Sequence, residues 1–106
     1  APALADVARF VRSTHERYDG TGYPDGLLGG DTPLIARIVA VCDAYDAIIT
    51  KRPYRQSRDA SLAIDELRHC AGTQFDPDVV EALITALNAI ADHGLPETLP
   101  DVRAVR

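Results

Sequence analysis

Apolar side chains recur along the chain at the three- and four-residue spacing of amphipathic helices, and this pattern divides it into four segments. The first covers residues 3–14, the second runs from Pro33 to about Lys51, and the third covers about 59–70. The fourth opens at Asp76-Pro77 and ends near Gly94. The pattern therefore predicts an all-α fold of about four helices, with the proline-containing residues 95–106 as a tail or linker.

The same spacing predicts which side chains face the core and where the helices begin. Asp31 or Thr32 is expected to cap the second helix, Ser57 the third and Asp76 the fourth. Leu62, Ala63, Leu67 and Cys70 are expected on the inner side of the third helix. The apolar residues that recur at helical spacing are Leu4, Val7, Ala8 and Val11 in the first helix and Val79, Val80, Leu83, Ile84, Leu87 and Ile90 in the fourth.

The second helix is apolar on almost every face, which predicts that it is buried on nearly all sides. Cys42 lies on its apolar arc and is expected to be a small buried residue. Asp46 falls inside that arc, and Asp43 lies at its edge. Because a buried carboxylate is costly unless it is paired or bound to metal, each is expected to have a partner, such as Arg37 or Arg52, or a metal ion.

Residues 17–32 connect the first two helices and contain three glycines and a proline within seven positions. Such a run forms neither a helix nor an inner strand. It predicts a fixed loop in which some residues have positive φ and the backbone can approach a ligand closely. The alternative is an ordinary connection that is rich in turn residues.

Composition limits the possible functions. The net charge of −5 argues against binding a nucleic acid polymer, and there is no apolar run long enough to span a membrane. Two cysteines without CxxC spacing do not indicate a zinc site and suggest a reducing, cytoplasmic setting. Within this acidic chain, Lys51, Arg52, Arg55 and Arg58 form a basic cluster, which is either an anion site or a solvated loop.

His15 and Asp43 are the candidate metal ligands. An imidazole and a carboxylate suit iron, manganese or zinc. Two ligands are too few for a catalytic centre, which usually takes at least three from the protein.

The run HERYDGTGYPDG, followed by PLIARIVAVCDAYDAI and then RPYR, closely resembles the GYP half of HD-GYP domains. These are bacterial cyclic di-GMP phosphodiesterases of the HD metal-dependent hydrolase superfamily. The resemblance covers roughly residues 4–84. It implies that residues 1–94 form the C-terminal part of an HD-type helical bundle, within a longer protein whose HD half lies upstream. One face of the second helix is expected to be covered normally by the missing helices. The apolar patch that this leaves in the isolated chain predicts a homodimer or association with the missing half.

The resemblance implies a divalent metal site, of iron or manganese, to which His15 and Asp43 contribute. Thr14 occupies the place of the first His of the family's His-His-Glu sequence, and the chain contains no His-Asp dyad. Threonine does not replace imidazole as a strong ligand. The site is therefore expected to be incomplete and the isolated chain inactive.

The residues that the family uses to bind substrate are matched more completely than its metal ligands. It implies that Tyr23 lies beside cyclic di-GMP, that Asp46 contacts a guanine edge, and that Arg52 and Arg55 meet phosphate or base. Glu16 is expected to orient His15. The residues expected to shape the loop or to support the ligands are Glu16, Asp19, Gly20, Gly22, Pro24 and Gly26.

Three functions remain open at this stage. The first is metal-dependent hydrolysis of cyclic di-GMP as part of a larger HD-GYP phosphodiesterase. The second is an inactive module that binds cyclic di-GMP or docks a GGDEF-type protein. The third is a helical interaction fragment in which the motifs are relics.

Overall fold

Four helices and their connections make up the computed structural model, which describes residues 2–50 and 56–94 of the chain. Helix α1 spans Pro2–Arg12, α2 Leu34–Thr50, α3 Gln56–His69 and α4 Pro77–His93. A single 3-10 turn, Gly29–Asp31, interrupts the long loop between α1 and α2. Across the described residues the only β pairing consists of two isolated bridges. The prediction of an all-α fold with about four helices is confirmed.

The core lies where α2, α3 and α4 pack against one another. Val41, Leu67 and Val80 are fully buried there, together with Phe75 and Ile84. The helical spacing predicted the buried faces of α3 and α4, including the fully buried Ala63. The edges of those faces extend less far than the spacing predicted, because Leu62 and Ile90 are 38% and 40% exposed.

The start of α4 is the best-defined helix terminus. Asp76 is buried, and one of its carboxylate oxygens accepts from the backbone N–H of Asp78 at 2.8 Å, as predicted for a cap. Two other predicted caps, Thr32 and Ser57, are wrong. The buried Thr32 hydroxyl has no hydrogen-bond partner within the described part of the chain, and α3 begins at Gln56, which places Ser57 inside it.

Helix α2 is buried on one side only. This corrects the prediction that it is covered on nearly all sides, and it agrees with the prediction that one face is left uncovered in this chain. Ala36 and Val41 are its buried residues, whereas Leu34 and Ile35 are each 55% exposed. Cys42, expected in the interior, is exposed. The reason is that α3 and α4 pack against one face of α2, and no other described helix covers the opposite face.

Helix α1 presents its apolar stripe to solvent. Leu4, Val7 and Val11 recur at the predicted helical spacing, and they are 70%, 56% and 60% exposed. A two-bond contact ties the end of this helix to the loop: Nε and Nη2 of Arg12 donate to the two carboxylate oxygens of Asp25 at 2.9 and 2.8 Å. In residues 2–50 and 56–94, none of the helices has both the length and the apolarity needed to span a bilayer.

Candidate functional site

The loop between α1 and α2 is fixed by backbone hydrogen bonds to the connection between α3 and α4. Tyr18 N–H donates to the Gln74 carbonyl at 3.1 Å, and Asp19 N–H donates to the Thr73 carbonyl at 2.8 Å. Gly29 N–H donates back to the Tyr18 carbonyl at 2.8 Å, which closes the base of the loop. This supports the prediction of an ordered loop.

Glu16 holds the far side of the same loop. Its side chain is buried, and its two carboxylate oxygens accept from the backbone N–H groups of Asp25 and Leu27, both at 2.8 Å. Two backbone donors satisfy a carboxylate that would otherwise be costly to bury. Glu16 is predicted to orient His15, and within the described structure its carboxylate hydrogen-bonds the backbone of the loop that follows His15.

A very close backbone approach places Tyr23 over His15. Tyr23 N–H donates to the His15 carbonyl at 3.2 Å, and the two rings stack with centroids 5.0 Å apart and planes 15° from parallel. Gly22 permits this contact. A Cβ at Gly22 would lie 2.4 Å from the Arg17 nitrogen and 2.5 Å from the His15 carbonyl oxygen. Tyr23 is 62% exposed, so much of its surface remains accessible.

Charged side chains complete the loop. Asp19 accepts from both the backbone N–H and the hydroxyl of Thr21, and these bonds, with Arg17 beside it, lower the pKa of Asp19. The hydrogen bond from Arg12 likewise lowers the pKa of Asp25. Gly20 has φ of +81°, a conformation that other residues rarely adopt.

His15 and Asp43 line one cavity of about 360 Å³. The end of α1, the start of the loop, the middle of α2 and the α3–α4 connection meet around it. Its polar walls also include Thr14, Arg17 and Gln74. The two ligands predicted from sequence are therefore neighbours of the same open space, and Tyr23 stacks on one of them.

The described residues do not fit a complete metal centre. Among them no group of three or more His, Cys, Asp or Glu side chains could hold an ion. Thr14, which lines the cavity, donates its hydroxyl hydrogen to the Val11 carbonyl at 2.9 Å. His15 and Asp43 supply suitable donors, but two are fewer than a catalytic site requires.

Among residues 2–50 and 56–94, the carboxylates of α2 make no ion pair. Asp43 and Asp46 are both exposed, so water solvates their charges and the predicted cost of burial does not arise. Arg37 pairs instead with Asp76, at 2.6 Å. Arg52 and Arg55, the predicted phosphate contacts, lie outside the described residues.

Two residues of the cavity wall, Arg17 and Gln74, were not predicted as site residues. Arg17 sits inside the loop motif, so its position next to His15 was a usable signal. Gln74 follows α3 and is far from His15 in sequence. Only the packing of the α3–α4 connection against the loop brings it to the cavity.

Comparison with known proteins places this chain in a family. The profile of the HD domain matches residues 1–79. The chain is 51% identical to the cyclic di-GMP phosphodiesterase response regulator RpfG of Xanthomonas campestris over 70 residues, which are 66% of this chain and 18% of that protein. It is 37% identical over 92 residues to the cyclic di-GMP phosphodiesterase of Thermotoga maritima, covering 87% of this chain and 25% of the relative.

A solved structure agrees with these sequence matches. The fold resembles the crystal structure of a cyclic GMP-AMP specific phosphodiesterase of Vibrio cholerae, with a TM-score of 0.69 and 26% identity over 77% of this chain and 18% of that one. The chain thus spans 15% to 25% of the length of the curated relatives it matches. It belongs to the HD domain family, and its relatives support the HD-GYP branch.

Proposed function

We propose that this chain is the GYP half of a longer HD-GYP phosphodiesterase that hydrolyses cyclic di-GMP. The observation that carries the proposal is that His15 and Asp43 line the same cavity, with Tyr23 stacked on His15. The relatives support the substrate class, since their names specify cyclic di-GMP or 3′3′-cGAMP. Residues outside this chain complete the site, so the isolated chain is inactive.

In this proposal His15 and Asp43 are two ligands of a divalent ion, iron or manganese. When bound, such an ion supplies a Lewis acid that activates water and neutralises charge on a phosphodiester. The role of this chain is to hold the imidazole and the carboxylate at one wall of the cavity. Glu16 and Gly22 fix the loop on which that imidazole sits.

The proposed substrate contacts come from residues other than the two metal ligands. Tyr23 offers an exposed aromatic ring to a purine. Asp46, exposed on α2 one turn beyond Asp43, offers an acceptor for the N–H groups of guanine. Arg52 and Arg55 are proposed to meet the phosphates, because a guanidinium donates two parallel hydrogen bonds to such an anion.

The test uses the full-length protein loaded with iron or manganese. His15→Ala and Asp43→Asn are expected to reduce both bound metal and cyclic di-GMP hydrolysis severely, because each removes a ligand. Asp46→Asn is the matched variant on the same helix, and it is expected to weaken cyclic di-GMP binding while metal content stays normal. Full metal content and activity in the first two variants would contradict the assignment.

Arg52 is tested separately by titration with cyclic di-GMP. Loss of a charge-assisted hydrogen bond in Arg52→Ala should weaken binding by about 1–3 kcal/mol. Unchanged affinity would remove Arg52 from the proposed phosphate contacts.

The second candidate is an inactive module in the cytoplasm that binds cyclic di-GMP or docks a GGDEF-type protein. Thr14 favours it, since its hydroxyl bonds the Val11 carbonyl at a position where the family has histidine. Thr14→His in the full-length protein separates the two functions. Higher metal content together with hydrolysis that the parent lacks would support lost catalysis, whereas an active parent would support the enzyme.

A further inference from the structure

Two polar side chains on the cavity wall have no role in the proposal above. Arg17 lies two residues after His15, and Gln74 belongs to the connection between α3 and α4. Both line the cavity that His15 and Asp43 share.

Their backbones are held next to each other. Tyr18 N–H, directly after Arg17, donates to the Gln74 carbonyl at 3.1 Å, and Gln74 N–H donates to the Cys70 carbonyl at 3.1 Å. The backbone at Arg17 is also packed tightly against Gly22. Both side chains therefore project from fixed points, which suits residues that position a ligand.

Each side chain keeps donors available. Arg17 donates from Nε to the Thr21 hydroxyl at 2.9 Å and lies 3.5 Å from a carboxylate oxygen of Asp19. Its two terminal nitrogens make no hydrogen bond to any described residue, and the side chain is 39% exposed. The exposed Gln74 amide also makes none within the described chain. Within the described residues, the fold does not use these donors.

We propose that Arg17 and Gln74 position the substrate's phosphodiester at this wall of the cavity, a role that rests on the function proposed above. A guanidinium and an amide NH2 both donate to non-bridging phosphate oxygens, and the guanidinium adds positive charge. That charge also offsets Asp43, which shares the cavity and would otherwise repel an anion. Neither residue takes part in bond making; they hold the anion against the wall that carries His15.

Gln74→Glu in the full-length protein is the decisive variant. It keeps the side-chain shape and replaces a donor with a carboxylate that repels phosphate. The KM for cyclic di-GMP is expected to rise by about tenfold or more, equivalent to about 1.4 kcal/mol. Metal content and thermal unfolding should match those of the parent. Arg68→Gln on the exposed face of α3 is the control and should leave KM unchanged.

Arg17 is tested with two substitutions, because it also contacts Asp19 and its loss could affect stability as well as binding. Arg17→Gln is expected to raise KM, and Arg17→Lys to rescue it in part, since lysine restores the charge without the planar fork. A purely structural role would instead lower the melting temperature in both variants and leave KM unchanged.

The outcomes separate this inference from the proposed function. An active parent whose KM is indifferent to Gln74→Glu overturns the inference alone. Loss of bound metal in Gln74→Glu also overturns it, because the residue would then support the ligands. A parent that neither binds metal nor hydrolyses cyclic di-GMP overturns the proposed function, and the inference with it.

Discussion

At the scale of single residues, the site depends on one glycine. Gly22 lies against the backbone of residues 15–17, where a Cβ would come within 2.7 Å of three backbone atoms. Backbone cannot move aside as a flexible side chain can. The stacking of Tyr23 on His15 is therefore a consequence of having no side chain at the preceding position.

Gly22→Ala is expected to lower the free energy of unfolding by about 3 kcal/mol, because the added methyl forces the loop away from the end of α1. Urea denaturation measures the change, and amide exchange at Tyr23 reports whether its hydrogen bond to His15 opens. Gly30→Ala is the matched control, since a Cβ there meets nothing within 4 Å. Equal effects of the two substitutions would contradict the close-packing argument.

Thr32 provides a second test at this scale. Its hydroxyl oxygen is buried and makes no hydrogen bond to the described residues, which is unfavourable for a polar atom. Thr32→Val should therefore raise the free energy of unfolding by about 1 kcal/mol. Thermal and urea unfolding measure it. A loss of stability would mean that the hydroxyl is satisfied in solution, for example by water in the small cavity of about 10 Å³ that it lines.

At the scale of elements, Asp76 connects two helices. One carboxylate oxygen caps α4, and the other accepts from Arg37 of α2 at 2.6 Å. Burial alone would raise the pKa of Asp76. The Arg37 guanidinium and the backbone N–H groups of Asp78 and Val79 outweigh it, so the pKa lies below its usual range.

The sign of the pH dependence follows from this lowered pKa. The contribution of Asp76 to stability is complete above the ordinary aspartate pKa of about 4 and is lost as the pH falls through the lower native value. Asp76→Asn should therefore show a shallower loss of stability below about pH 4, measured by urea unfolding across pH. Asp76→Ala, which loses the cap as well, should cost about 2–4 kcal/mol at pH 7. An acid profile identical to that of the parent would contradict the role of the ion pair.

The elements also show what could be predicted from the sequence and what could not. Helix α4 was predictable because its signals are local: Asp76-Pro77 starts it, and Gly94 N–H bonds the Ile90 carbonyl at its end. The burial of α2 was not predictable, because the sequence of a helix that is apolar on all sides does not indicate which neighbours cover it. The expected burial of the Asp43 carboxylate is wrong, since Asp43 is exposed, whereas its choice as a candidate ligand depended on its oxygen donors and on the resemblance.

The candidate site was predictable only in part for a related reason. His15 and Tyr23 lie in one local motif, and the backbone of that motif brings them together. Gln74 reaches the cavity only through the docking of the α3–α4 connection against the loop, which no spacing in the sequence indicates.

At the scale of the whole molecule, the described residues leave two apolar faces uncovered. One is the stripe of α1, and the other includes Leu34 and Ile35 on α2. Contiguous exposed apolar surface of this kind usually marks an interaction site.

We expect the 106-residue chain, studied alone, to associate with a second copy through these faces. Burying one valine or leucine contributes about 1.5–3 kcal/mol, so stripes from two copies are enough for measurable association. Sedimentation velocity over a wide concentration range should show a dimer that weakens when Val7→Ser and Val11→Ser are combined. Ala5→Ser, off the stripe on the same helix, is the control and should leave the dimer unchanged. A chain that remains a monomer at every concentration would contradict this expectation, because these faces would then not bind a second copy.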